Sequence, residues 1–230
     1  MSRIQPTLVT CPGCGSQLPA RLFESLNGER IPAQVEALLA GTFEAIRCAA
    51  CGVQFRPEHH MLYTHLGARM WIVMYPVSAR GDYLELERSV REILERNFAE
   101  AAVIVADRLR GVRPRLVFGQ HTLTEALRAA REAIDPSLLE CAKLLAFKRS
   151  LPALLPLGPS ELVFERIDET NQFVFGVHEL STAGRLGELA LPSKLLGETR
   201  ELLPRFEVSH PDLFQQPYVS ALRYLYTGQL

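Results

Sequence analysis

Four cysteines in two short loops constrain this chain more than anything else in it: Cys11-Pro12-Gly13-Cys14-Gly15 and Cys48-Ala49-Ala50-Cys51-Gly52. A Cys-x2-Cys pair brings two thiolates within reach of one ion, and two pairs complete a tetrahedral S4 site. The glycine after each pair lets the backbone curl so that amide N–H groups can point at the sulfurs. The set Cys11, Cys14, Cys48 and Cys51 therefore reads as the ligand shell of a structural zinc ion, Zn2+. An iron–sulfur cluster and a dithiol redox pair are the alternatives for the same four thiols.

The spacing is Cys-x2-Cys-x33-Cys-x2-Cys, longer than the roughly 15–20 residues between pairs in a compact ribbon. The intervening residues account for the excess. Alternation over Gln17 to Leu26 predicts a strand, and Pro32 followed by Ala33–Leu39 with Gly41 behind it predicts a short helix. Thr7–Thr10 leads into the first pair. Thr42–Arg47 is expected to return as a strand into the second, and Val53–Arg56 leaves it. Each pair would then sit at the tip of a β-hairpin, the arrangement of a zinc ribbon. Met70-Trp71-Ile72-Val73-Met74-Tyr75, ended by Pro76, reads as a buried strand.

These segments, with Leu39–Phe43, Met61-Leu62-Tyr63 and Arg115-Leu116-Val117-Phe118-Gly119, resemble the CpXC family, named for paired Cys-Pro-x-Cys motifs. The resemblance is plain over residues 7–75 and looser to about residue 150 and into the C-terminal hairpin. The second motif departs from it, with Ala49 where the family has Pro; proline stiffens the loop but is not a ligand, so metal binding should survive. The resemblance implies a fold and a metal site and supplies no activity.

Beyond Pro76 the pattern turns helical. Residues 82–110 carry Leu84, Leu86, Val90, Ile93, Leu94, Phe98 and Val103 at helical spacing. Helices are expected over about 122–133 and 136–149, with Thr122 or Thr124 and Asp135 as candidate N-caps. Leu151–Pro159 reads as a proline-punctuated linker. A hairpin follows, Glu161–Ile167 and Gln172–His178 around Asp168–Asn171, and Arg185–Leu191 is expected to add a third strand. Helices from Pro192 to about Leu203 and over Tyr218–Tyr226 close the chain. The expected class is α+β: a zinc-ribbon-like antiparallel sheet, then helices and a small C-terminal hairpin and helix unit. The expected division is 1–150 and 151–230.

The 230 residues carry a net charge of −1, and neither half is basic enough for nucleic-acid binding by bulk electrostatics. Met1–Pro6 lacks an apolar signal region and no apolar run reaches membrane-spanning length, so a cytoplasmic location and no membrane partner are expected. No nucleophile elbow, P-loop, dinucleotide loop or HExxH helix is present. His59, His60 and His65 could hold a second metal or act as a base, but the adjacent pair would face opposite sides of a strand, and a structural role is expected. Cys141, in an apolar run, reads as a buried inert thiol. Glu85 and Glu87, like Glu198 and Glu201, are expected on solvated helix faces. The reading is a non-enzymatic protein whose partner is another protein, as an adaptor or regulatory subunit. A nucleic-acid-binding ribbon using Arg21, Arg47 and Arg56 is the alternative.

Overall fold

The alternation within Met70–Tyr75 decides the architecture. Trp71 and Val73 point to one side of the strand and Ile72 and Met74 to the other, and all four are buried. A packed layer must therefore cover each face. The computed structural model describes residues 2–99 and 107–226. In it this strand, β6, lies in a five-stranded sheet ordered β1-β2-β5-β6-β7. The others are β1 (Arg3–Thr10), β2 (Gln17–Asn27), β5 (Met61–His65) and β7 (Pro114–Phe118).

Ile72 and Met74 pack with Phe23, Leu26, Leu38, Phe43, Met61 and Leu123 on one face. Helix α1 (Pro32–Leu39) supplies Leu38, and helix α3 (Gly119–Arg131) supplies Leu123. Trp71 and Val73 pack on the other face against Val90 of helix α2 (Tyr83–Ala99) and Tyr218. Two of the four pairings, β2 with β5 and β6 with β7, are parallel. The N-terminal sheet is thus mixed where the sequence reading expects antiparallel pairing. Each parallel pair is joined by a long crossover carrying a helix, α1 or α2, which returns the chain in the same direction.

The chain is α+β. Its second sheet is antiparallel, ordered β10-β9-β8, from β8 (Ser160–Ile167), β9 (Gln172–Glu179) and β10 (Arg185–Pro192). Asp168 sets the β8–β9 turn, its Oδ1 accepting from the N–H groups of Thr170 and Gln172. Phe164, Phe173 and Phe175 pack against Ala142, Ala146 and Phe147 of helix α4 (Pro136–Leu154) and Leu195 of helix α5 (Lys194–Ser209). Ala129 of α3 joins the same cluster, so α3 contributes to a core of each sheet. A division at 150/151 falls inside α4.

Several elements differ from the sequence reading. The strand over Thr42–Arg47 shrinks to β3, Ile46–Arg47, because Phe43 turns inward to be fully buried against Phe23. Thr122 and Thr124 are not caps: α3 begins at Gly119, and their hydroxyls donate back to the carbonyls of Phe118 and Gln120. Asp135 is one, its Oδ1 accepting from the N–H groups of Ser137 and Leu138. The linker at Leu151 is the end of α4, which runs through Pro152 to Leu154. Proline there removes only one hydrogen bond of the last turn. Pro192 ends β10, paired with Gln172, and the helix after it runs on through Pro204 to Ser209. The expected terminal helix reduces to Leu222–Leu225, and the Tyr218 N–H donates to Glu87. In α2, Leu84 and Phe98 are exposed although their spacing suggests a core face. Val103 lies outside the described residues.

Candidate metal centre

The two loops are built alike. The first joins β1 to β2, which are antiparallel; the second joins β3 to β4 (Gln54–Phe55), also antiparallel. In the first, the Cys11 N–H donates to the Ser16 carbonyl at 2.9 Å and the Gly15 N–H to the Cys11 carbonyl at 2.9 Å. In the second, Cys48 N–H reaches Val53 O and Gly52 N–H reaches Cys48 O, each at 2.8 Å. Gly15 and Gly52 both adopt the left-handed region, at φ 73° and 77°, which a Cβ would strain.

This geometry brings the four sulfurs together. Cys11 Sγ lies 3.6 Å from Cys51 Sγ, and Cys14 Sγ lies 3.7 Å from Cys48 Sγ. The four ligand atoms all fall within 4.8 Å of one another. Such separations are far too long for disulfides. They are close to the ~3.8 Å edge of a tetrahedron with metal–sulfur bonds of about 2.3 Å. Cys11 and Cys48 are buried and Cys14 and Cys51 exposed, so the group has one face in the protein and one in solvent. These four thiols can hold a metal ion. Without one they are electrostatically mismatched. Hydrogen bonds from the Ser16 hydroxyl and N–H bring Cys14 down to about 6. Cys51 is favoured as thiolate by the Val53 N–H, yet desolvation and sharing of hydrogen bonds with the other three sulfurs push it up to about 12. A dication would let all four ionise.

Glu44 ties the second loop to the main sheet. Its Oε1 accepts the Phe23 N–H at 2.6 Å and its Oε2 faces His59 Nε2 at 2.7 Å. His59 Nδ1 in turn lies 3.0 Å from the His60 carbonyl. Both ring nitrogens thus face acceptors, and Glu44 raises the His59 pKa against the opposing effect of burial. His60 packs on Tyr75, with burial lowering its pKa, and His65 Nδ1 accepts from the Ala68 N–H. The three histidines do not converge: among the described residues the cysteines alone form a group of three or more metal-capable side chains.

A model of the CpXC protein family matches residues 9–143. The chain belongs to the CpXC family. No curated protein and no solved structure matches it. The CpXC match spans both loops, the end of β1, the other four strands of the N-terminal sheet and α1 to α3, and it ends within α4. Among the described residues no helix is long and apolar enough to cross a membrane.

Sequence reasoning missed a buried ionic layer between the sheets of this CpXC chain. Arg80 Nη2 donates to Glu161 Oε1 at 2.7 Å, and His121 Nε2 meets the same oxygen at 2.7 Å. Burial opposes the charge on Glu161, but His121 and Arg80 hold its carboxyl at about 2. The His121 ring stacks on His178 at 5.2 Å. Lys143 Nζ binds Glu125 and Glu140, each at 2.7 Å. Glu87, expected on a solvated face, is buried: it binds Arg223 and accepts the Tyr218 N–H. These partners lie up to 136 residues apart, a separation over which no local pattern operates. Glu85 and Glu201 are exposed, as expected, while Glu198 is half-buried and pairs with Arg149. Cys141 is fully buried, and desolvation pushes its thiol up to about 12, consistent with an inert role.

Proposed function

We propose that Cys11, Cys14, Cys48 and Cys51 hold a structural zinc ion and that the chain is a non-enzymatic adaptor or regulatory module that binds another protein. The observation carrying this reading is the closed donor set: four sulfurs within 4.8 Å fill a tetrahedral shell and leave no position for substrate or activated water. The ion would supply only a cross-link between the two hairpins, fixing their relative orientation.

The presented surface is the β1–β2 arm. Seven of the eight β1 residues are exposed, and Leu8, beside the first loop, keeps 67% of its surface in solvent. Ile4 is also exposed on this strand. Solvated apolar side chains on a metal-pinned hairpin suit contact with a partner protein. The test is affinity capture of the zinc-loaded chain from its native host. A stoichiometric partner is expected, and Leu8→Arg should reduce its recovery at least tenfold; recovery equal to a tag-only control would overturn the reading.

Arg21, Arg47 and Arg56 are exposed, and none makes an ion pair among the described residues, which supports nucleic-acid phosphates as a second class of partner. That alternative requires binding that weakens steeply with added salt. No shift of DNA or RNA at low ionic strength would remove it.

A further inference from the structure

A large cavity lies away from the cysteines. It encloses about 670 Å³ between the starts of β6 and β7, the C-terminal half of α3, the turn into α4 and residues 214–219. That is the size of a site for a small organic ligand. Its charge is strongly biased. Arg69, Arg91, Arg113 and Arg115 line it, and Asp135 is the single acidic lining residue. Asp135 is already engaged, since its Oδ1 caps α4.

The four arginines have different roles. Arg91 binds the Gln216 side chain, and Arg113 Nη1 donates to the Phe214 carbonyl at 3.3 Å, so these two hold the outer wall. Arg69 stands exposed at the β5–β6 turn, in the left-handed region at φ 53°. Arg115 comes from β7, and its Nε is buried with no hydrogen-bond partner. That nitrogen has no accessible surface, so a ligand would meet the half-buried guanidinium through its two Nη groups. Burial also lowers the Arg115 pKa, with Glu140, Glu125 and Asp135 acting in the opposite direction. Two of those carboxylates are already bound to Lys143. The rest of the lining is largely apolar, including Met70, Ile72, Ile134 and Val219.

We propose that this cavity binds a small organic anion, with an oxyanion head, carboxylate or phosphate, against Arg115 and an apolar body along Met70, Ile72 and Ile134. The planar guanidinium matches either head by paired hydrogen bonds. The apolar wall would select against bare inorganic ions. None of the lining residues lies in the cysteine loops, so this site is separate from the metal centre and its occupancy is independent of the partner reading above.

The chain reports on the site itself, because Trp71 is its only tryptophan and lines the cavity. The probes are octanoate, octyl phosphate, neutral 1-octanol and inorganic phosphate, titrated into the zinc-loaded protein and followed by Trp71 fluorescence and calorimetry. Saturable one-to-one binding of octanoate or octyl phosphate is expected, at least tenfold tighter than either 1-octanol or phosphate alone; which head binds better identifies the natural chemistry. Arg115→Met should weaken the anions about tenfold or more and leave 1-octanol unchanged. If Arg115→Met does not fold, Arg69→Asn removes a cavity charge while tolerating the left-handed backbone, and it should weaken the same anions selectively. Equal affinity for anion and alcohol, unchanged affinity in the folded variant, or no saturable binding would each overturn the proposal.

Discussion

Arg80 and Glu161, 81 residues apart in sequence, meet as a buried ion pair at 2.7 Å with side chains only 6% and 7% exposed. Arg80 follows β6 of the first sheet and Glu161 lies on β8 of the second, so the pair spans the two. Removing Arg80 leaves the buried Glu161 carboxylate with His121 alone against it. Arg80→Met should therefore cost about 3–5 kcal/mol in urea unfolding, and Arg80→Met with Glu161→Gln together should recover much of that loss. A double variant as unstable as the single one would show that the arginine acts through packing alone, including its position 5.9 Å over the Phe118 ring.

The same carboxylate predicts an acid transition. Its folded pKa, about 2, lies below the usual value of 4.5. A depressed carboxylate contributes stability that is full above the unfolded pKa and is lost as pH falls towards the folded one. Between about pH 4.5 and 2 the wild-type chain should lose on the order of 3 kcal/mol through this group. Glu161→Gln should lack that component. Any metal held by the cysteines would leave both chains over the same acid range, so the difference between their stability profiles isolates Glu161; parallel profiles would sink the assignment.

Zinc removal should act locally first. The ion would join two hairpins that bury little of their own: the first half of β2 and nearly all of β1 are solvent-facing. Chelation, or Cys11→Ser, should abolish the one-zinc stoichiometry and collapse hydrogen-exchange protection over residues 3–21 and 46–55. The β8–β9–β10 sheet, with its own core, should stay protected. Because the thiols must lose protons to bind, apparent zinc affinity should fall as pH is lowered.

Gly119 opens α3 at φ +80°, and a Cβ there would come within 2.7 Å of the His121 ring and 2.9 Å of Val77. Gly119→Ala should cost at least about 1–2 kcal/mol from the left-handed backbone alone. It should also displace His121 from Glu161, raising the acid midpoint. A neutral effect in thermal melts would contradict the close packing at this corner.

Lys143 balances two buried carboxylates that have further duties: Glu125 accepts the Phe164 N–H at 2.5 Å and Glu140 accepts the Ala221 N–H at 2.8 Å. Lys143→Met would leave both acids without the ammonium they bind, with Arg115 acting on them only through its longer-range field. We expect a loss of about 3–5 kcal/mol, with Glu125→Gln added to the variant restoring part of it. Unchanged stability in Lys143→Met would mean that one of the acids is already protonated.

The sequence by itself determined what short-range pattern encodes. The Cys-x2-Cys-Gly loops announce their own turns, since the glycine must follow the second thiol for the backbone to curl. Pro32 with Gly41 marks α1, Asp135 marks the start of α4, and the apolar run at Met70–Tyr75 marks a strand covered on both faces. Local signals also misled: Pro152 read as part of a linker and Pro192 as the start of a helix, yet one sits in a helix's last turn and the other ends an edge strand, where a missing N–H costs little. Tertiary structure alone decided the pairing of strands, because parallel neighbours depend on where the crossover helices land. It also decided which charges are buried. Arg80 with Glu161, Glu87 with Arg223, Lys143 with Glu125 and the unpaired Nε of Arg115 are ordinary charged residues in the chain; desolvation between packed layers gives each its energetic role, and desolvation has no sequence period.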